Sequence, residues 1–115
     1  MFRGTPSLGT DSQIHLFRNP KKTKIVEIEP LTGQIEGDSF KELQSALAMA
    51  FYESSRHVKL ELGNVQFLSI TVLEKLIKFA LDLREKNRVL IFSHPAISVR
   101  RYLERFRLTD VILIL

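Results

Sequence analysis

Two hydroxyl side chains, Ser69 and Thr71, stand in the most informative segment of the chain. They follow an alternating run, Val58–Leu62, that predicts a strand, and they open an apolar repeat of helical spacing. A hydroxyl at a helix start lies near backbone N–H groups that have no partner within the helix. Phosphorylation there would add about −1.5 to −2 charges where a partner protein could read them. The segment therefore offers a candidate phosphoacceptor, Thr71 first and Ser69 second.

The same hydroxyls also have a purely structural interpretation. Thr71 and Glu74 have the spacing of a capping box, in which each side chain satisfies a backbone N–H of the other residue. Ser69 is the alternative N-cap, because serine is one of the residues preferred there. The sequence leaves both the signalling interpretation and the capping interpretation open.

No catalytic or metal-binding pattern accompanies these hydroxyls. The three histidines, His15, His57 and His94, have no second ligand at metal-binding spacing, and the chain contains no Cys. Glycine-rich phosphate loops, dinucleotide-binding turns and the nucleophile elbow of hydrolases are absent from the sequence. We therefore expect a protein that is not an enzyme and that needs neither a metal ion nor a cofactor.

The strongest charge feature is a group of four arginines: Arg100, Arg101, Arg105 and Arg107. One interpretation is a solvated helix face that favours the negative end of the helix dipole. The alternative is a patch that binds RNA or another anionic ligand. The excess positive charge of the chain, +4 in total, lies in residues 1–23 and 97–115, and the residues between are nearly neutral. This distribution argues against a continuous phosphate-binding stripe, so nucleic acid is not the expected partner.

Length and composition limit the class of protein that can carry these residues. The chain has 115 residues, of which 44% are hydrophobic, and this suits one domain with a real core. It contains no run of about 20 apolar residues that could span a membrane. The first residues do not have the apolar stretch of a secretory signal. We expect a cytoplasmic protein without a membrane span.

Strand and helix patterns alternate along most of the chain. Five segments predict strands: Lys24–Glu29, Gln34–Glu36, Val58–Leu62, Val89–Phe92 and Val111–Leu115. Three predict helices: one capped by Ser39 with Phe40, Leu43, Leu47, Ala50 and Phe51 on its apolar face, one over Ile70–Lys86, and one opened by His94-Pro95. This order predicts an α/β domain, residues 24–115, with helices packed against a mixed β-sheet. Residues 1–23 are expected to form a flexible segment with an edge strand at Ile14–Phe17.

The second predicted helix has a clear amphipathic pattern. Its apolar stripe is Ile70, Leu73, Ile77, Ala80 and Leu81. Two acid-first pairs four residues apart, Glu74–Lys78 and Asp82–Lys86, predict ion pairs on its exposed face.

These segments together resemble the STAS domain of anti-sigma factor antagonists. The resemblance begins with Gly33–Glu36 and the first helix, and continues through the strand, Gly63–Leu68 and the hydroxyl-bearing helix start. It includes the later strand and His94-Pro95 with Val99–Leu103, so it extends over roughly Lys24 to Leu115. The resemblance implies a STAS-like single domain that acts by contacting other proteins.

STAS domains usually carry Asp-Ser-Ser/Thr-Gly-Leu where this chain has Ser69-Ile70-Thr71-Val72-Leu73. Thr71 matches the position that partner kinases phosphorylate. Ser69 replaces the aspartate and Val72 replaces the glycine, so a β-branched side chain stands where a kinase backbone would approach. These departures favour partner docking that does not depend on phosphorylation.

The resemblance also implies a place for the partner. We expect an anti-sigma factor or a serine-kinase-like regulator to dock over the start of the second helix, on Ser69, Thr71, Glu74, Lys75 and Lys78. The alternative from the same family is an accessory subunit of a lipid-trafficking transporter that docks on its ATPase. The sequence also leaves open a homodimer.

Overall fold

The computed structural model of the protein describes residues 2–5, 25–30 and 33–115. Strands and helices alternate along these ranges. In chain order they are β1 (Phe2–Thr5), β2 (Ile25–Pro30), β3 (Gln34–Ile35), α1 (Asp38–Glu53), β4 (His57–Glu61), β5 (Phe67–Leu68), α2 (Ile70–Arg84), β6 (Leu90–Ser93), α3 (Ile97–Arg105) and β7 (Ile112–Ile114). The predicted α/β class with a mixed sheet is confirmed.

The main sheet has the strand order β1-β2-β4-β6-β7. The last four strands are parallel and in sequential order, and each helix connects two strands that lie side by side. β1 alone runs antiparallel, with Phe2 opposite Pro30. A second, small parallel sheet pairs β3 with β5 and leads the chain into α2.

The core lies between the helices and one face of the sheet. Alternate strand residues such as Val58, Leu60 and Phe92 are fully buried there. They form one cluster with apolar side chains of all three helices. The predicted apolar face of α1 is confirmed, with Phe51 half-buried at its margin. In β6 every residue is buried, as expected for a central parallel strand, but the strand begins at Leu90 and leaves Val89 partly exposed.

The first strand of the sheet, β1, was not predicted from the sequence. Residues 2–5, which lack any periodicity, pair with β2 at the edge of the sheet. Backbone hydrogen bonding to a neighbouring strand needs no side-chain pattern, so this strand left no periodic signal. The edge strand predicted at Ile14–Phe17 lies outside the described residues.

The helix starts also differ from their predictions. The capping box at Ser39 is wrong, because α1 begins at Asp38 after Gly37, whose φ of 54° is a conformation that glycine adopts readily. The Ser39 hydroxyl instead donates to the Gln34 or Glu36 carbonyl and accepts from the Glu36 N–H. The third helix begins at Ile97 rather than at Pro95, with Ala96 as its N-cap.

The apolar stripe of α2 is rotated relative to the prediction. Its buried residues are Val72, Leu73, Leu76, Ala80 and Leu83. Ile70 and Leu81, which the prediction placed in the core, are exposed. The predicted ion pairs are also wrong, because Lys78 pairs with Asp82 at 3.2 Å.

One buried cation connects α1 to the beginning of β6. Arg88 is only 6% exposed, and its guanidinium donates to the carbonyls of Ala50, Phe51 and Arg56 at 2.7–3.0 Å. The last carbonyls of a helix lack partners within the helix, so Arg88 acts as a cap for the end of α1. Burial lowers its pKa, and His57 beside it accepts the Val89 N–H on Nδ1.

Candidate functional site

The start of α2 is built by a serine cap that leaves a threonine exposed. Ser69 has extended backbone, and its Oγ accepts the N–H of Val72 at 3.2 Å. Ser69 is therefore the N-cap, as the second of the two capping predictions had it, and the capping box from Thr71 is wrong. Thr71 lies in the first turn and faces solvent. Within the described part of the chain, the Thr71 hydroxyl has no hydrogen-bond partner.

The predicted contact residues lie along one side of α2. Glu74 and Lys75 each lie three or four residues from both Thr71 and Lys78, and all four residues are exposed. The Lys75 ammonium stands 5.5 Å from the centre of the Phe40 ring, and Lys78 is paired with Asp82. The structure thus brings the predicted residues together as one polar stripe that begins at the Ser69 cap.

Two apolar side chains flank this stripe and were not predicted as surface residues. Phe67 in β5 is 46% exposed, and Ile70 at the first position of α2 is 53% exposed. Both residues lie within four positions of Thr71, before the first full turn of the helix. A hydroxyl beside exposed apolar area and mixed charge has the composition of a contact surface between proteins.

A polar cluster lies at the carboxyl ends of the neighbouring strands β4 and β6. Glu61 Oε2 accepts the Gly63 N–H at 2.9 Å and lies 3.1 Å from His94 Nδ1. Ser93 Oγ lies 3.0 Å from the same nitrogen. A side chain at position 63 would have its Cβ only 2.8 Å from the Glu61 carboxylate, so it would displace this carboxylate from its present contacts. The cluster ties together the loops after β4 and β6.

The charge state of this cluster follows from its hydrogen bonds. Burial alone would raise the pKa of Glu61, but hydrogen bonds from Ser93, the Gly63 N–H and His94 outweigh burial, so this pKa is lowered. Ser93 and Glu61 both approach Nδ1 of His94. A serine–histidine–carboxylate relay needs the two partners on different ring nitrogens, and this geometry does not provide it.

The four arginines of the predicted anion patch do not converge on one point. All four are exposed. Arg100 Nε lies 3.5 Å from Glu104 Oε2 and forms an ion pair with it. Arg107 lies beyond the end of α3, with a φ of 57°. Arg101 and Arg105 lie one turn apart on the outer side of α3. Aromatic rings stand close by, since the ring centres of Tyr102 and Phe106 are 4.8 Å apart, with the two planes tilted by 49°.

Metal-binding and membrane-spanning features were also sought in the described ranges. Residues 2–5, 25–30 and 33–115 contain no group of three histidine, aspartate or glutamate side chains that could hold a metal ion. No helix in these ranges is both long enough and apolar enough to cross a membrane.

Sequence reasoning missed two features of this region. Ile70 was assigned to the core because it fits the helical period. The Glu61–His94 contact joins residues 33 positions apart, so no local spacing signals it. The one available signal was the polar pair Ser93-His94 directly after the predicted strand Val89–Phe92, because parallel strands often place polar groups at their carboxyl ends.

The fold and the motif agree with a family-level comparison. The model of the STAS domain matches residues 19–115. The chain belongs to the STAS domain family. STAS domains generally mediate contacts between proteins. No curated protein matches the chain.

Proposed function

We propose that this chain is a non-catalytic docking module whose contact surface is the start of α2, as in anti-sigma factor antagonists. The partner is an anti-sigma factor or a serine-kinase-like regulator. The proposal rests on the different roles of the two hydroxyls at the start of α2. Ser69 caps the helix, while Thr71 is exposed beside Phe67 and Ile70.

Docking on this surface does not require phosphorylation of Thr71. The acidic residue that usually precedes the phosphoacceptor is replaced by Ser69, and this serine is used as a cap. Val72, in place of the usual glycine, is buried against the core. The surface therefore stays available to the partner, and phosphate on Thr71 would oppose contact by placing charge next to apolar area.

The test is an affinity pull-down from the native host, with bound proteins identified by mass spectrometry. Wild type is compared with Thr71→Glu, Thr71→Ala and a control, Thr109→Glu, which places the same charge on an exposed residue elsewhere. We expect a kinase or sigma-regulating protein to bind wild type, Thr71→Ala and Thr109→Glu, and to be lost with Thr71→Glu.

Other outcomes would replace the proposal. Loss with Thr71→Ala as well as Thr71→Glu would mean that the hydroxyl itself is required. Recovery of a transporter ATPase would identify an accessory subunit instead. Recovery of RNA with steep salt dependence, abolished by Arg101→Glu with Arg105→Glu, would move the function to α3.

A further inference from the structure

A groove between α1 and α2 shares Lys75 with the polar stripe described above and is otherwise lined by different residues. It has a volume of about 270 Å³, and four aromatic rings line its length: Phe40, Phe51, Tyr52 and Phe79. Tyr52 is 82% exposed although its ring packs edge-on against Phe51 at 5.0 Å. Phe51 and Phe79 are half-buried and Phe40 is buried, so Tyr52 supplies most of the exposed aromatic surface of the groove. Exposed aromatic side chains are enriched where proteins contact each other.

The direction of the two helices gives the groove distinct ends. Phe40 near the start of α1 meets Lys75, and Phe51 near the end of α1 meets Phe79, later in α2. The two helices therefore run in the same direction. Their positive dipole ends lie together at the Phe40 end, and their negative ends lie together at the Tyr52 end.

Side-chain charges follow the same order. Lys75 lines the groove near its Phe40 end, and no carboxylate among the described residues pairs with it. Asp82 lines the other end, seven residues and about 10 Å further along α2. Its partner Lys78 is a mostly exposed side chain, and such surface pairs are worth little, so Asp82 can be shared with an incoming cation.

From this arrangement we infer that the groove binds an amphipathic helix of a partner protein. The helix places its apolar side against Phe51, Tyr52 and Phe79. It places an acidic residue at the Lys75 end and a basic residue at the Asp82 end. About two turns separate these two charged residues, which matches the spacing of the groove. The inference does not depend on the proposed function, because Phe67, Ile70 and Thr71 do not line the groove, although Lys75 belongs to both surfaces.

The probes are two end-blocked 18-residue helical peptides with the same apolar stripe. The bipolar peptide carries glutamate at one end and lysine at the other, and the diacidic peptide carries glutamate at both. Wild-type protein is expected to bind the bipolar peptide about fivefold more tightly. Asp82→Lys gives the groove two basic ends and is expected to reverse this preference. Binding is measured by fluorescence anisotropy, and circular dichroism checks the fold of each variant.

A second pair of variants locates the binding. Ala48 lines the groove and is exposed, so Ala48→Glu leaves the core intact and places a charge under the bound helix. We expect it to weaken the bipolar peptide about tenfold or more. Met49→Glu makes the same change on an exposed α1 residue outside the lining and should leave binding unchanged.

The inference fails if neither peptide binds, if Asp82→Lys leaves the preference as it was, or if the two glutamate variants have equal effects. Sedimentation provides one further outcome. If wild type self-associates and Ala48→Glu does not, the groove is occupied by a second copy of this chain, and the partner helix is excluded.

Discussion

The two ends of the parallel strands use polar side chains in opposite ways. At the amino end, Arg88 is buried and gives its hydrogen bonds to the backbone carbonyls of three residues. At the carboxyl end, Ser69 satisfies the helix start, and Thr71 is left facing solvent. Each end also holds a histidine, His57 at the start of β4 and His94 just after β6. We call the amino end closed, because Arg88 is buried there, and the carboxyl end open, because polar side chains such as Thr71 are exposed there.

This difference follows from the direction of the chain. In an α/β unit the helices begin at the carboxyl ends of the strands, where backbone N–H groups need acceptors. One small hydroxyl is enough to supply an acceptor there, and its neighbours stay free for binding. The helices end at the opposite edge of the sheet, near the amino ends of the strands. Backbone carbonyls need donors there, and one guanidinium can donate to several carbonyls at once.

The largest effect on the free energy of unfolding is expected when the Arg88 guanidinium is removed from the closed end. Arg88→Met leaves the end of α1 without donors, and we expect a loss of about 3 kcal/mol in the free energy of unfolding. Arg88→Lys should lose somewhat less than Arg88→Met, because an ammonium still donates to some of the three carbonyls, although it cannot reach all of them. Urea denaturation measures both. The control is Arg84→Met, an exposed arginine on α2, and an equal loss there would contradict the assigned role of Arg88.

A smaller effect should separate the two hydroxyls at the open end. Ser69→Ala removes the cap and should cost about 1 kcal/mol of unfolding free energy. Thr71→Ala should change it by less than about 0.5 kcal/mol, because alanine is a good helix former and Thr71 is exposed. Equal losses in thermal or urea unfolding would mean that Thr71 shares the capping.

The smallest effect is expected from the pH dependence of the unfolding free energy. It separates His57 at the closed end from Glu61 at the open end, because the two groups titrate in different pH ranges. Burial, and secondly the charge of Arg88, lowers the pKa of His57 below 6.5. The unfolded chain then takes up this proton first, so the stabilisation by neutral His57 is present above pH 6.5 and is lost as pH falls through its lowered pKa.

Urea unfolding of wild type and His57→Gln at about pH 7.5 and pH 5.5 measures this contribution. The variant should lose less stability on acidification. Glu61 does not confuse the result, because hydrogen bonds lower its pKa below 4.5, and its stabilisation is lost only at more acidic pH. Identical losses in the two proteins would show that His57 is not responsible.

The elements of the fold were largely predictable, because alternation and helical spacing are local properties. Val58–Leu62 and Ile70–Lys86 were predicted within a residue or two of the observed strand and helix. The buried side of α2 could not be predicted in the same way. Apolar residues occupy more than half of the circumference of this helix, so local spacing is compatible with two different apolar stripes. Only packing against the sheet selected Val72 and Leu76 over Ile70.

The site was predictable in position and not in detail. The segment Ser69–Leu73 was visible because hydroxyls precede an apolar repeat. The contacts of Arg88 with Ala50 and of His94 with Glu61 join residues more than 30 positions apart. Such contacts depend on which strands become neighbours, and a single sequence does not contain that information.

The sequential order of the parallel strands has a consequence for synthesis on the ribosome. Each of β4, β6 and β7 pairs with the strand made just before it in the main sheet, so the sheet can grow one strand at a time as the chain emerges. β1 is made first, yet its partner β2 follows only at Ile25. Each parallel pairing still joins residues separated by a whole helix, so the sheet grows in order along the chain but not from local contacts.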